Sequence, residues 1–253
     1  METTELLQAL FRWIHVVAAI VWLGHLYFFN FVNLPFEATL DAATKRAVVP
    51  QLRPRALFWF RWGAAWTWVS GFLLLLLVFY HGKLALAAPD QGWTAGAWLM
   101  LLVTLLGFGV YDAVAQSALA ADGRRMAGVG FVLIALFLVL CVHVGGYGYR
   151  GYVIHTGTLF GTIMAANVWM RIWPAQRQIV AAIRDGRTPD AALVTRAATR
   201  SRHNTYLSVP LVWTMLDAHT FGIGGPVVLL VVIALGWMAV SQLYRKSQTV
   251  PGF

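Results

Sequence analysis

Apolar stretches of membrane-spanning length alternate with short polar ones along the chain. A helix needs about 20 mainly apolar residues to cross a bilayer. Seven stretches meet that need, over 7–33, 56–80, 95–118, 126–144, 152–172, 204–221 and 226–244. The expected fold is all-α and polytopic, with seven transmembrane helices in one domain over 1–253. The first stretch is too long for the apolar part of a secretory signal, and no small-residue cleavage site follows it. The only sizeable polar segment is 174–202, which reads as a helical loop. Within it, Gln176 to Arg184 predicts a short helix stopped at Asp185-Gly186. A second helix is expected after Thr188-Pro189-Asp190, with Thr188 or Asp190 near its cap.

The basic residues orient this pattern. Lys45, Arg46, Arg53 and Arg55 follow the first stretch, and Arg124 and Arg125 follow the third. Arg171, Arg177, Arg184, Arg187, Arg196, Arg200 and Arg202 lie between the fifth and sixth, and Arg245 and Lys246 follow the seventh. The other side has only Arg12, Lys83 and Arg150. The positive-inside rule puts the richer side, with loop 174–202, in the cytoplasm. The N-terminus is then on the outer, periplasmic side and the C-terminus is cytoplasmic.

Composition agrees with a lipid environment. Hydrophobic residues make up 59% and charged ones 11%, against roughly 25% charged in soluble domains. The net charge of +9 is absorbed as a topology signal, so no nucleic-acid partner is expected. The single cysteine, Cys141, excludes an internal disulfide, a Cys-rich zinc site and a C-x-x-C-H attachment for c-type haem.

Polar groups inside spans are costly and usually face a functional interior. His15, His81, His143, His155 and His219 fall in the outer part of the membrane, while His25 and His203 fall toward the cytoplasm. Neutral imidazoles on facing helices are suited to hold b-type haem. Gly24, Gly145, Gly146 and Gly157 would let a flat macrocycle approach a helix. His15 and His25 lie about 15 Å apart along one helix and about 80° off a common face, so they cannot ligate one iron. They would serve two haems, or one haem and a substrate site. Trp22, on the face of His15, would stack beside a porphyrin or simply pack. The expected cofactor is one or two b-type haems.

A second cluster lies toward the cytoplasm: Arg61, Asp112, Gln116, Asn167, Arg171, and Ser201-Arg202-His203-Asn204-Thr205-Tyr206 at the expected start of the sixth helix. A helix N-terminus with Arg and His beside it favours a planar anion. Arg61 would instead pair with Asp112 or hold a haem propionate. Pro210 is expected to kink the sixth helix and open space beside the cluster.

Two stretches carry a family resemblance. They are Phe11-Arg-Trp-Ile-His-Val-Val-Ala-Ala-Ile-Val-Trp-Leu-Gly-His-Leu-Tyr-Phe-Phe-Asn-Phe, on to Pro35, and Ser201-Arg-His-Asn-Thr-Tyr-Leu-Ser-Val-Pro-Leu-Val-Trp-Thr-Met-Leu-Asp-Ala-His219. Both resemble the membrane domain of the bacterial membrane-bound urate oxidase (urate hydroxylase, PuuD) family, as does Trp173-Pro-Ala-Gln176. Helix 1, with His15, Trp22, Tyr27 and Pro35, is more loosely similar to the haem-binding protoporphyrinogen oxidase HemJ, where the equivalent histidine is taken as a haem ligand. The urate oxidase resemblance implies oxidation of urate toward 5-hydroxyisourate in purine breakdown, with electrons passed to a c-type cytochrome. Family members carry a c-type domain after the membrane part. This sequence has no C-x-x-C-H, so either a further span and cytochrome domain are missing from it, or a separate periplasmic c-type cytochrome or a membrane electron-transfer complex is the expected acceptor.

The expected roles follow. His15 with His143 or His155 ligates the outer haem, with His25 and His219 as further ligands and Trp22 beside the ring. Arg202, His203, Asn204 and Arg61 bind the substrate, and His203 and Tyr206 are catalytic, His203 as proton acceptor. One competing reading is a non-catalytic haem b subunit of a respiratory or photosynthetic complex. Another is a haem-free transporter or assembly subunit.

Overall fold

The computed structural model describes residues 3–219 and 224–251. The expected end of the sixth stretch, at Phe221, lies outside them. The described helices are α1 (Thr3–Thr39), α2 (Ala42–His81), α3 (Ala95–Gln116), α4 (Gly123–His143), α5 (Tyr149–Ala166), α6 (Trp173–Arg184), α7 (Ala191–Asp217) and α8 (Pro226–Ser247). The seven expected stretches fall on α1–α5, α7 and α8. Five of these helices, α1–α4 and α8, are long and apolar enough to cross a membrane.

The five differ from the other two in mean hydropathy and charge. The five present large apolar side chains outward at helical spacing: Trp13, Val16, Val17 and Ile20 on α1, Leu99, Leu102, Leu106 and Val110 on α3, and Val227, Val231, Leu235 and Met238 on α8. Such stripes suit lipid. By contrast, α5 buries His155, Thr156 and Thr162, and α7 buries Asn204, Thr205, Ser208, Thr214 and Asp217. Helices surrounded by other helices can carry polar groups that find partners there, which lowers their hydropathy.

Helix ends follow local chemistry. The Thr94 side chain accepts from Ala97 N at 3.1 Å, the Asp122 side chain from Arg124 N at 2.8 Å, and the Asp190 side chain from Ala192 N at 2.7 Å. Each satisfies a donor the first helical turn leaves free. Asp41 does the same for α2, accepting from Thr44 N at 2.9 Å and Ala43 N at 2.8 Å. The bond from Thr44 N is the main reason its carboxyl titrates below the ordinary range. At the other end of the polar loop, α6 stops at Asp185, and Gly186 takes a φ of +70°. Gly186→Ala is expected to destabilise by about 1 kcal/mol, read as a lowered melting midpoint, because a Cβ there is strained and meets the Arg46 guanidinium.

Three π-helical turns interrupt the regular pitch: Phe28–Asn33 within α1, Leu75–His81 at the end of α2, and Asn167–Ile172 joining α5 to α6. The polar loop is therefore entered on a continuous helix, not through a break before Gln176.

The chain forms two compact units. One comprises Met1–Phe11, Gly71–Ile163 and Val209–Gly236; the other comprises Arg12–Ser70, Met164–Ser208 and Trp237–Phe253. In the first, Gly236 lies against the Pro210 ring, where a Cβ would come within 3.0 Å of Cγ and Cδ. The space expected beside Pro210 is thus filled by α8. In the second, Gly63 lets α2 approach the Trp22 backbone, with a Cβ position 3.0 Å from Trp22 N. Small residues of this kind allow the close contact that holds helices together in lipid, where apolar surface gains little by leaving the solvent.

Candidate functional site

In the second unit, His15 on α1 faces α2. Its Nδ1 lies 2.9 Å from the Thr67 carbonyl and 3.2 Å from Ser70 Oγ. A carbonyl can only accept, so Nδ1 carries the proton and Nε2 keeps its lone pair. Nε2 has no hydrogen-bond partner among the described residues. His25 repeats the arrangement within its own helix, with Nδ1 2.7 Å from the Val21 carbonyl. This is the tautomer a metal-bound histidine adopts, its ring fixed by an outer hydrogen bond. Gly24, beside His25, has open space where a Cβ would stand.

His155 in the first unit is built differently. Nδ1 lies 2.7 Å from the Gly151 carbonyl and Nε2 2.9 Å from Tyr80 OH. Tyr80 OH is 2.7 Å from Tyr147 OH, which donates to the Ala97 carbonyl at 2.7 Å. Both imidazole nitrogens are engaged, so ligation through Nε2 would require Tyr80 to move. His143 and His219 are exposed, at or just beyond the ends of α4 and α7. The glycines near these histidines have local explanations. Gly145 fits against the Cys141 carbonyl and Met100, Gly146 takes a φ of +61°, and a Cβ on Gly157 would strike Thr214 Oγ1. Trp22 is fully buried in protein.

The Ser201–Tyr206 segment corrects one expectation. α7 begins at Ala191, so these residues lie in the middle of a helix. Their N–H groups serve the helix, and the segment offers no dipole end to an anion. The helix expected after Asp190, with Asp190 at its cap, is present and runs without a break into the sixth apolar stretch.

The side chains of this segment tie helices within the second unit. Asn204 donates to the Met164 carbonyl and accepts from Asn167 Nδ2, both at 2.9 Å. Tyr206 OH pairs with Ser241 Oγ at 3.1 Å. Asn30, unremarked in the sequence, donates to Ser201 Oγ at 2.8 Å and accepts from Tyr244 OH at 2.8 Å. Arg202 is exposed, its guanidinium 5.4 Å from the Tyr244 ring centre. Arg61 lies over Trp173 at 4.1 Å, while Asp112 accepts from Gln116 at 2.7 Å.

A buried ion pair also escaped the sequence reading. Glu37 pairs with Arg53, accepts from Asn33 Nδ2 at 2.9 Å, and shares Arg53 with Gln176, whose Oε1 accepts at 3.0 Å. Asn30, Asn33 and Glu37 recur every three or four residues along an apolar helix. That spacing was the available signal, because polar groups on one face of a span need partners.

The model of the urate oxidase N-terminal family matches residues 39–250. The chain belongs to that family. No curated protein and no solved structure matches it. The family match includes Arg61, His143, His155, Arg202, His203, Asn204, Tyr206 and His219, whereas His15, Trp22 and His25 precede it. Among the described residues no group of three or more His, Cys, Asp or Glu is placed to hold a bare metal ion. A porphyrin iron asks less of the protein, since the macrocycle supplies four nitrogens and one or two imidazoles suffice.

Proposed function

We propose that this chain is the membrane module of a b-type haem oxidoreductase that oxidises urate, seated in a bacterial inner membrane with its N-terminus periplasmic. Membership of the urate oxidase N-terminal family carries the reading. The haem fits the donor set, because His15 and His25 each present an Nε2 lone pair on a ring fixed through Nδ1. His15 is the first choice of residue that would hold it, with two supports for its Nδ1–H instead of one. Bound haem would supply a one-electron acceptor.

Arg202 gives urate a cation, and His203, next in sequence, takes a proton as charge develops. Urate and water yield 5-hydroxyisourate, two protons and two electrons, and a periplasmic c-type cytochrome or a membrane electron-transfer complex accepts the electrons. The test is an absorption spectrum recorded before and after urate is added under anaerobic conditions. Urate is expected to shift the haem to its reduced form. Arg202→Ala should keep the haem and weaken urate binding roughly tenfold to hundredfold, the loss of one charge-assisted hydrogen bond. An oxidised spectrum unmoved by saturating urate would remove the enzymatic reading.

One observation favours a second reading. Asn204 and Tyr206 spend their polar atoms on neighbouring helices. That would suit a non-catalytic haem b subunit delivering electrons within a larger membrane complex.

A further inference from the structure

A groove of about 240 Å³ runs between α2 and α6 in the second unit. Pro50, Pro54 and Leu57 line its α2 side, and Trp173, Arg177 and Arg184 its α6 side. Neither the haem ligands nor the urate contacts proposed above use it.

Three features define what it would hold. First, its floor is largely apolar, and its cations stand on one face of α6, because Arg177 and Arg184 are two helical turns apart. Arg184 pairs with Asp185 at 2.9 Å, but Asp185 also holds Arg187 at 3.0 Å, so Arg184 can turn toward another anion without stranding the carboxylate. Second, Pro50 and Pro54 have no N–H, which leaves the carbonyls of Arg46 and Pro50 without their helical donors. Of these two residues, Pro50 lines the groove. Third, the groove lies where α2 changes character. Lys45, Arg46, Arg53 and Arg55 precede the change, and the exposed Phe58, Trp59, Trp62 and Trp66 follow it. Aromatic side chains next to basic ones mark the depth of lipid headgroups on a spanning helix.

A planar soluble anion fits less well. The Trp173 ring already has Arg61 at 4.1 Å and Arg177 at 5.8 Å from its centre, so stacking would displace a guanidinium.

We propose that the α2–α6 groove binds the headgroup of an anionic glycerophospholipid, with Arg177 and Arg184 on the phosphate and acyl chains running past Phe58 and Trp59. Basic pockets at a membrane face bind lipids in this way.

The test uses the full chain in neutral detergent, melted with and without dioctanoyl phosphatidylglycerol or dioctanoyl phosphatidylcholine. The phosphatidylglycerol is expected to raise the midpoint by about 3 °C at tenfold excess over its Kd, and the phosphatidylcholine to leave it unchanged. Arg177→Gln with Arg184→Gln should melt like the parent without lipid and lose the shift, while Arg187→Gln keeps it. Native mass spectra should show one retained phosphatidylglycerol on the parent and none on the double variant. Equal shifts with both lipids, or a shift and a bound lipid that survive in the double variant, would overturn the proposal. So would an equal shift from urate or inorganic phosphate, either of which would assign the groove to a soluble anion.

Discussion

His15→Ala is expected to give a folded membrane protein that no longer takes up the haem proposed above. The substitution removes the imidazole and its hydrogen bond to the Thr67 carbonyl, a structural loss of about 1 kcal/mol. A stable helical protein should survive that, while the proposed haem would lose the imidazole that holds it. The Soret band per protein measures the effect directly. Ser70→Ala provides the graded companion. Ser70 Oγ is the second support of Nδ1 at 3.2 Å, and removing such an outer partner typically weakens metal binding by about tenfold to a hundredfold. Ser70→Ala should therefore bind haem that washes out on dilution. Full haem content in His15→Ala would move the ligand to another histidine and leave family membership untouched.

The second large effect belongs to the ion pair. Arg53→Met leaves the Glu37 carboxylate in a site only 10% exposed, with Asn33 as its remaining partner. Removing one member of a buried pair typically costs about 3–5 kcal/mol, because an uncompensated charge stays behind. For a chain of this size that corresponds to a fall of about 10 °C in the melting midpoint. Replacing both, Glu37→Leu with Arg53→Met, should recover most of the loss, since two well-packed apolar side chains remove the charge problem. A single variant melting within about 1 °C of the parent would show that the pair is solvated and structurally idle.

The two features differ in how far they could be read from the sequence. His15 stood out because an imidazole in a long apolar run must find a partner, whether a neighbouring helix or a metal. Glu37 and Arg53 did not, because each lies just beyond an expected span, where charges are ordinary. Their pairing depends on α1 and α2 extending past the apolar segments, to Thr39 and back from Ala42. Hydropathy marks where a helix meets lipid, and it says little about where the helix ends. The same limit hid the join between the polar helix capped by Asp190 and the sixth apolar stretch, which form one helix, α7. It also left α5 and α7 looking like ordinary spans, although their faces are lined by threonine, serine and asparagine. Apolar length was legible at once. Which polar residues share a partner depended on how the helices lie against one another, which periodicity in a single chain does not encode.

The wide turn at Phe28–Asn33 has a consequence for comparing this chain with its kin. A π turn holds one residue more than an α turn, so a relative lacking a residue in this stretch would keep a straight, regular helix there. Its positions on either side would then be offset by about 100° around the axis relative to these. Asn30, Asn33 and Glu37 would lose the azimuth that lets them reach Ser201, Tyr244 and Arg53. A gap of one in that stretch, trivial as an edit to the text, would amount to a different wiring of the polar interior.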